Sequence, residues 1–297
     1  MGRGSVRTMR EFPKLAAASL ALAAPMASAA PAIPPAIYTD PPADVAHPAR
    51  MEVFHVPSGG VEINGVGYLA AGAGPHPTVV ICHGLPGNEK NLDLAQALRR
   101  RGWNAITFNY RGSWGSPGTY RFGQNPEDAR AVLAFLRANA TRYGIDTQRM
   151  AMVGHSMGGW VTAMAGAEEP DLRALVLYSA ANMGKKGQLS QGDRAKLIAE
   201  NSETLNSPAQ ALVDELGAHA AEWDFVRRAS ALSATPLLVL TSNDGLAADG
   251  DELVAAVRKV GGTRVRTAHV ATDHGWSDHR IDLEARVIRF LEPLLAK

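Results

Sequence analysis

Five short, nearly continuous apolar runs alternate with longer stretches of helical periodicity, and that alternation leaves few architectures open. The runs are Thr78-Val79-Val80-Ile81-Cys82, Ala105-Ile106-Thr107-Phe108, Met150-Ala151-Met152-Val153, Ala174-Leu175-Val176-Leu177 and Leu237-Leu238-Val239-Leu240. A strand apolar on both sides belongs in a parallel sheet covered on both faces. Helical patterns fill the gaps at about 92–101, 126–143, 157–168, 252–260 and 283–295, and strand and helix in strict succession predict a doubly wound, mostly parallel α/β sheet. Residues 52–56 and 61–68 alternate apolar with polar, the pattern of an antiparallel edge pair. Residues 181–235 hold no strand pattern and predict a helical, lid-like insertion.

One strand-to-helix junction carries a nucleophile motif. Gly154-His155-Ser156-Met157-Gly158 follows the Met150 to Val153 run and precedes the helical pattern that starts at Met157. Glycine and serine are common, so the motif gains its weight from this context. A serine on such an elbow sits in a strained turn above the carboxyl edge of the sheet, at the head of a helix whose free amides favour negative charge. Its hydroxyl needs a base, and the base needs an acid to orient it. In folds of this type acid and base follow the serine in chain order. Asp244, in Thr241-Ser242-Asn243-Asp244-Gly245, lies just past a strand end, with Asp249 as runner-up; Asp249 and Asp251 also suit the first turn of the helix that follows. Asn-Asp-Gly is good turn chemistry in its own right. Of nine histidines only His269, His274 and His279 come late enough. His269 falls in a strand-like stretch and His279 at a helix start, which leaves His274 in the loop between. The oxyanion donors are then the amides of Leu85, in His83-Gly84-Leu85-Pro86-Gly87, and Met157.

Composition removes other classes. Lysine and arginine total 30 against 29 acidic residues, so no electrostatic footprint for nucleic acid is present. His83 has no ligand-spaced partner, and Gly72-Ala73-Gly74 lacks a third glycine and precedes its strand, so neither a metal nor a nucleotide cofactor is expected. Arg3, Arg7, Arg10 and Lys14 precede an apolar run from Leu15 to Ala24, and Ala27-Ser28-Ala29 offers a cleavage site. That pattern predicts a Sec signal peptide over 1–29, periplasmic or secreted location and no membrane anchor after processing; the run is too short to cross a bilayer of about 30 Å. Met9 offers a second, more compact start. Removing the leader leaves 26 basic and 28 acidic residues. Prolines at 31, 34, 35, 41, 42 and 48 read as an extended tether over 30–50 ahead of a catalytic domain at 51–297. Cys82 is the only cysteine, so the core holds the fold without an internal disulfide.

His83 to Gly87, Asn109-Tyr110-Arg111-Gly112-Ser113-Trp114-Gly115-Ser116-Pro117-Gly118, Gly154 to Gly159 and Asp273-His274-Gly275-Trp276-Ser277-Asp278-His279-Arg280 together resemble the bacterial α/β-hydrolases near the prolyl oligopeptidase and dienelactone hydrolase families. The resemblance spans about Pro57 to Leu295 and implies the α/β-hydrolase fold and a Ser-His-Asp triad working through an acyl-enzyme. Prolyl oligopeptidases carry an N-terminal propeller and usually Gly and Tyr around the serine; this chain has no room for a propeller and has His155 and Met157. An esterase reading therefore leads, with a peptidase or amidase as the alternative. The expected substrate is an uncharged ester with a small to medium acyl group, with no obligate protein partner. Trp114 and Trp160 are the expected substrate-binding residues, and Trp276 stands near the same mouth.

Overall fold

The computed structural model describes residues 1–2 and 32–296. The chain divides into two compact units, residues 1–32 and 33–297, and every element below lies in the second. The expected leader and its cleavage site, apart from Met1 and Gly2, fall outside the described residues. Among the described residues no helix is long and apolar enough to cross a membrane.

Eight strands form one sheet in the order β1-β2-β4-β3-β5-β6-β7-β8. They are β1 Arg50–Ser58, β2 Val61–Leu69, β3 His76–Cys82, β4 Asn104–Phe108, β5 Ile145–His155, β6 Ala174–Tyr178, β7 Leu237–Ser242 and β8 Val265–Val270. The alternating pair at the start is the antiparallel hairpin expected, closed by Gly59 and Gly60 at positive φ and paired from Arg50↔Leu69 to Ser58↔Val61. β2 runs antiparallel to β4; all later pairs are parallel. The continuous apolar runs feed two cores. Val80, Cys82, Met152, Leu175 and Val239 face one, with α2 Gln124–Ala138, α4 Met157–Gly166 and α9 Ala247–Lys259. Val79, Ile81, Val153, Val176 and Leu240 face the other, with α1 Leu92–Arg100 and α10 Arg280–Leu291. This is the α/β-hydrolase fold.

The helical stretch expected over 126–143 is split: Asn139 leaves helical geometry (φ −110°, ψ 21°) and its side-chain amide donates to the Phe135 carbonyl at 2.9 Å, so α3 Ala140–Tyr143 starts anew. The insertion contains α5 Met183–Gly187, α6 Gln191–Ala199, α7 Ala209–Ala218, a 3₁₀ turn Phe225–Arg228 and α8 Ala229–Leu232. Leu212, Leu216, Trp223 and Phe225 join it to the first core.

One expectation is corrected. The stretch read as the start of a free tether is held to the domain: Pro35–Ile37 forms a 3₁₀ turn with Ala36 buried, and the Arg100 guanidinium donates to the Ala36 and Ile37 carbonyls. Proline fixes φ cheaply for such a turn, and an arginine from α1 satisfies the carbonyls a short helix leaves open.

The order of strands places the crevice. The chain leaves β3 to build β4 on one side, then returns past β3 to build β5 on the other. Ligands bind in open α/β sheets at the carboxyl ends of strands where this reversal occurs, and the loops after β3 and β5 begin at His83 and Ser156.

Candidate active site

Ser156 follows β5 directly and precedes α4, with φ 56° and ψ −125°. Left-handed φ is costly for a residue with a Cβ, and the neighbours show what enforces it. A Cβ on Gly154 would lie 2.0 Å from the Gly158 carbonyl oxygen, and one on Gly158 would lie 2.0 Å from that of Cys82. Only glycine lets strand, elbow and helix approach this closely. Met157 is the first residue of α4, so its amide has no acceptor within the helix and is free to bind an anion. Its thioether is fixed below by the Tyr120 hydroxyl at 3.3 Å and the Asn125 amide at 3.5 Å.

Asp244 lies in the loop between β7 and α9, and its side chain is 1% exposed. His274 Nδ1 donates to Asp244 Oδ2 at 2.8 Å and the Leu246 amide donates to Oδ1 at 2.9 Å. Burial opposes the charge, but these bonds and the Ser179 and Ser242 hydroxyls outweigh it and hold the carboxyl well below the usual aspartate range. The aspartate therefore stays ionised and fixes the His274 tautomer that leaves Nε2 as a base. Ser156, His274 and Asp244 share one cavity of about 300 Å³, which Leu85 and Met157 also line.

His274 is backed by a second imidazole. His155 Nε2 donates to the His274 carbonyl at 2.9 Å, and its ring lies 4.7 Å from both the Tyr178 and the His274 rings. Burial and the neighbouring His274 push the His155 pKa down to about 4. His83 is likewise pushed to about 4 by burial while its Nδ1 donates to the Gly84 carbonyl at 2.7 Å. Both rings are neutral supports of loops that frame Ser156.

The remaining candidates fall elsewhere. His269 is held between Thr241 Oγ1 at 2.9 Å and Asn243 Oδ1 at 3.0 Å, and His279 stands just ahead of α10 without a capping side-chain bond. Asp249 accepts the Asn182 amide at 3.1 Å and pairs with Lys185 at 3.0 Å, so it fastens the insertion to α9. Arg111 is a structural donor bound to Asp128 and Glu127, and Arg121 donates to Tyr120 and Ser207.

The tryptophans require correction, since neither expected substrate contact lines the cavity. Trp160 is fully buried, with its ring 5.4 Å from Trp223 and its Nε1 donating to the Trp223 carbonyl at 2.8 Å. An indole that finds both apolar area and an acceptor inside the core has no reason to face solvent. Trp114 lies outside the lining, where Nε1 donates to the Pro86 carbonyl at 2.7 Å. Trp276 is buried and donates to Ser179 at 3.0 Å. The walls come instead from the insertion and the loop after β7, through Ala181, Met183, Lys186, Leu197, Asn201 and Leu246. The helical, lid-like insertion expected over 181–235 contains Met183, Lys186, Leu197 and Asn201, but nothing local in the sequence marked which of its residues would line the site.

A family model described as BD-FAE matches residues 68–217. An uncharacterized protein of Mycobacterium tuberculosis is 31% identical over 140 residues, 47% of this chain and 48% of that one, so the chain spans about half the length of that relative. Among solved structures, the acylaminoacyl peptidase of Pyrococcus horikoshii matches with a TM-score of 0.65 at 18% identity, over 84% of this chain and 42% of that one. An esterase of Pyrobaculum calidifontis matches with a TM-score of 0.63 at 20% identity, over 84% of this chain and 88% of that one.

Proposed function

Because this chain belongs to the BD-FAE family, we propose that it is a serine hydrolase acting on carboxylic esters, with Ser156 as nucleophile, His274 as general base and acid, and Asp244 as its orienting partner. The observation that carries this reading is a strained serine in one cavity with a histidine whose far nitrogen is bound to a buried carboxylate. Ser156 Oγ attacks the ester carbonyl as His274 Nε2 takes its proton. The amides of Leu85 and Met157 receive the oxyanion, where preorganised donors are worth about 3–4 kcal/mol each. His274 then protonates the departing alcohol, leaving an acyl-serine. A water activated by the same imidazole attacks that acyl-serine, and the acid departs as Ser156 recovers its proton.

Two features favour an ester over a peptide. The lining is largely apolar, and its only carboxylate, Asp244, is committed to His274, so a peptide's terminal ammonium finds no partner in it. A cavity of about 300 Å³ sits at the low end of ligand sites and suits a short acyl group. The similarity to an esterase structure supports the reading at the level of fold.

The test is a panel of 4-nitrophenyl esters of increasing acyl length beside X-Pro and aminoacyl anilides. Turnover is expected on acyl groups of about two to six carbons, with Ser156→Ala slower by about 10⁴-fold or more. Anilides cleaved faster than every ester would transfer the assignment to a peptidase.

A further inference from the structure

Two consecutive lysines sit on the five-residue helix α5, and the fold treats them oppositely. Lys185 is neutralised, with its ammonium 3.0 Å from Asp249 and 2.6 Å from Glu252. Lys186 is half-buried and lines the cavity that holds Ser156 and His274. None of the ion pairs among the described residues includes it. The one carboxylate in that lining, Asp244, already accepts from His274 and Leu246. The cavity thus contains a cation without a counter-ion among walls that are mainly apolar, an arrangement that an anion on the ligand would complete.

The helix that presents this lysine is fixed. Asn182 binds in three directions: Oδ1 accepts the Gly184 amide at 3.0 Å, Nδ2 donates to Asp224 at 2.7 Å, and its backbone amide donates to Asp249 at 3.1 Å. A Cβ on Gly184 would lie 2.4 Å from the Asp224 nitrogen, and one on Gly187 would lie 2.2 Å from the Leu216 carbonyl oxygen. With the helix backbone held in this way, the freedom lost when a ligand binds is that of the Lys186 side chain alone.

We infer that the catalytic cavity takes esters that carry a carboxylate, held by Lys186, on the same molecule as the scissile bond. This rests on the ester-hydrolase reading for its chemistry and replaces the uncharged substrate expected from the sequence. A single ammonium in a small, largely apolar cavity matches one monoanion. It does not match a phosphate dianion, whose oxygens call for several donors.

Binding and turnover test it separately. The Ser156→Ala protein is titrated calorimetrically with monomethyl glutarate and with dimethyl glutarate. The acid is expected to bind at least about tenfold tighter, Lys186→Met in the same background to erase that difference, and Lys186→Arg to keep it, with thermal melts confirming that each variant is folded. Equal binding of the two esters, or a preference that survives Lys186→Met, overturns the inference. So does inorganic phosphate binding more tightly than the monoester. The wild type is then compared on 4-nitrophenyl hydrogen glutarate and 4-nitrophenyl methyl glutarate, where kcat/KM should favour the acid through KM. Hydrolysis of both at equal efficiency overturns the carboxylate site and leaves the esterase standing. A Lys186-dependent binding preference without hydrolysis of either supports the carboxylate site and sinks the esterase.

Discussion

Asp244 and Asp249 suit the same role by residue type and chain position, and their surroundings separate them. Asp244 has a buried side chain aimed at His274, whereas Asp249 spends both oxygens on Asn182 and Lys185. Asp244→Asn keeps the size of the side chain but removes the charge that stabilises the imidazolium formed during attack. Its kcat on the best ester should fall by about 10³–10⁴-fold, with a cooperative thermal melt showing that the variant is still folded. Asp251, exposed on the second turn of α9, is the proper control, and Asp251→Asn should stay within about twofold of wild type. Asp249→Asn is unsuitable as a control because it loosens the seat of α5. Wild-type turnover in Asp244→Asn would remove the aspartate from the mechanism.

Within the insertion, the helices differ in what holds them, and so in how they move. α5 is tied by Asn182, Asp224, Asp249 and Glu252. α6 has a Ser190 cap, whose hydroxyl accepts the Asp193 amide at 3.1 Å, but it buries only Ile198. A nine-residue helix is marginal on its own, and few buried apolar groups mean a low local opening free energy. Because Leu197 on α6 lines the cavity, opening of α6 widens the site while Lys186 stays in place. Hydrogen exchange should be at least about tenfold faster in α6 than in α5 and β5, and α6 amides as slow as those of β5 would rule out this gate. Elements were legible where periodicity is intrinsic: the apolar runs all lie within strands β3 to β7, and the elbow followed from a glycine-flanked serine set between a strand and a helical pattern. What the sequence hid depends on partners far along the chain. The place of Trp160 is decided by Trp223, and the opposite fates of Lys185 and Lys186 by Asp249 and Glu252. Ile33 to Asp40 resembles a linker in composition until Arg100 claims its carbonyls.

At the scale of the molecule, the same supports make stability depend on pH. His83 and His155 are held near pKa 4 by burial, while in the unfolded chain they titrate near 6.5. Protons therefore bind the unfolded state more tightly, so this contribution is complete above about pH 6.5 and is lost as pH falls toward 4. Each histidine is worth about 3 kcal/mol across that window. Glu284 works in the other direction: burial and the neighbouring Asp93 charge push it up to about 7 from an ordinary 4.5. Its contribution is present below 4.5 and disappears as pH rises through 7. With two groups losing and one gaining on acidification, urea midpoints should drop between pH 7.5 and pH 4. The variants separate the terms. In His155→Phe the ring can still stack on Tyr178 but has no proton to refuse, so the midpoint should fall less with acidification than in the wild type. In Glu284→Gln the opposing term is gone, so the protein should be more stable than wild type at pH 8 and its midpoint should fall more steeply below pH 6.5. Three parallel profiles would show that neutral burial of these histidines and the raised Glu284 do not set the pH response.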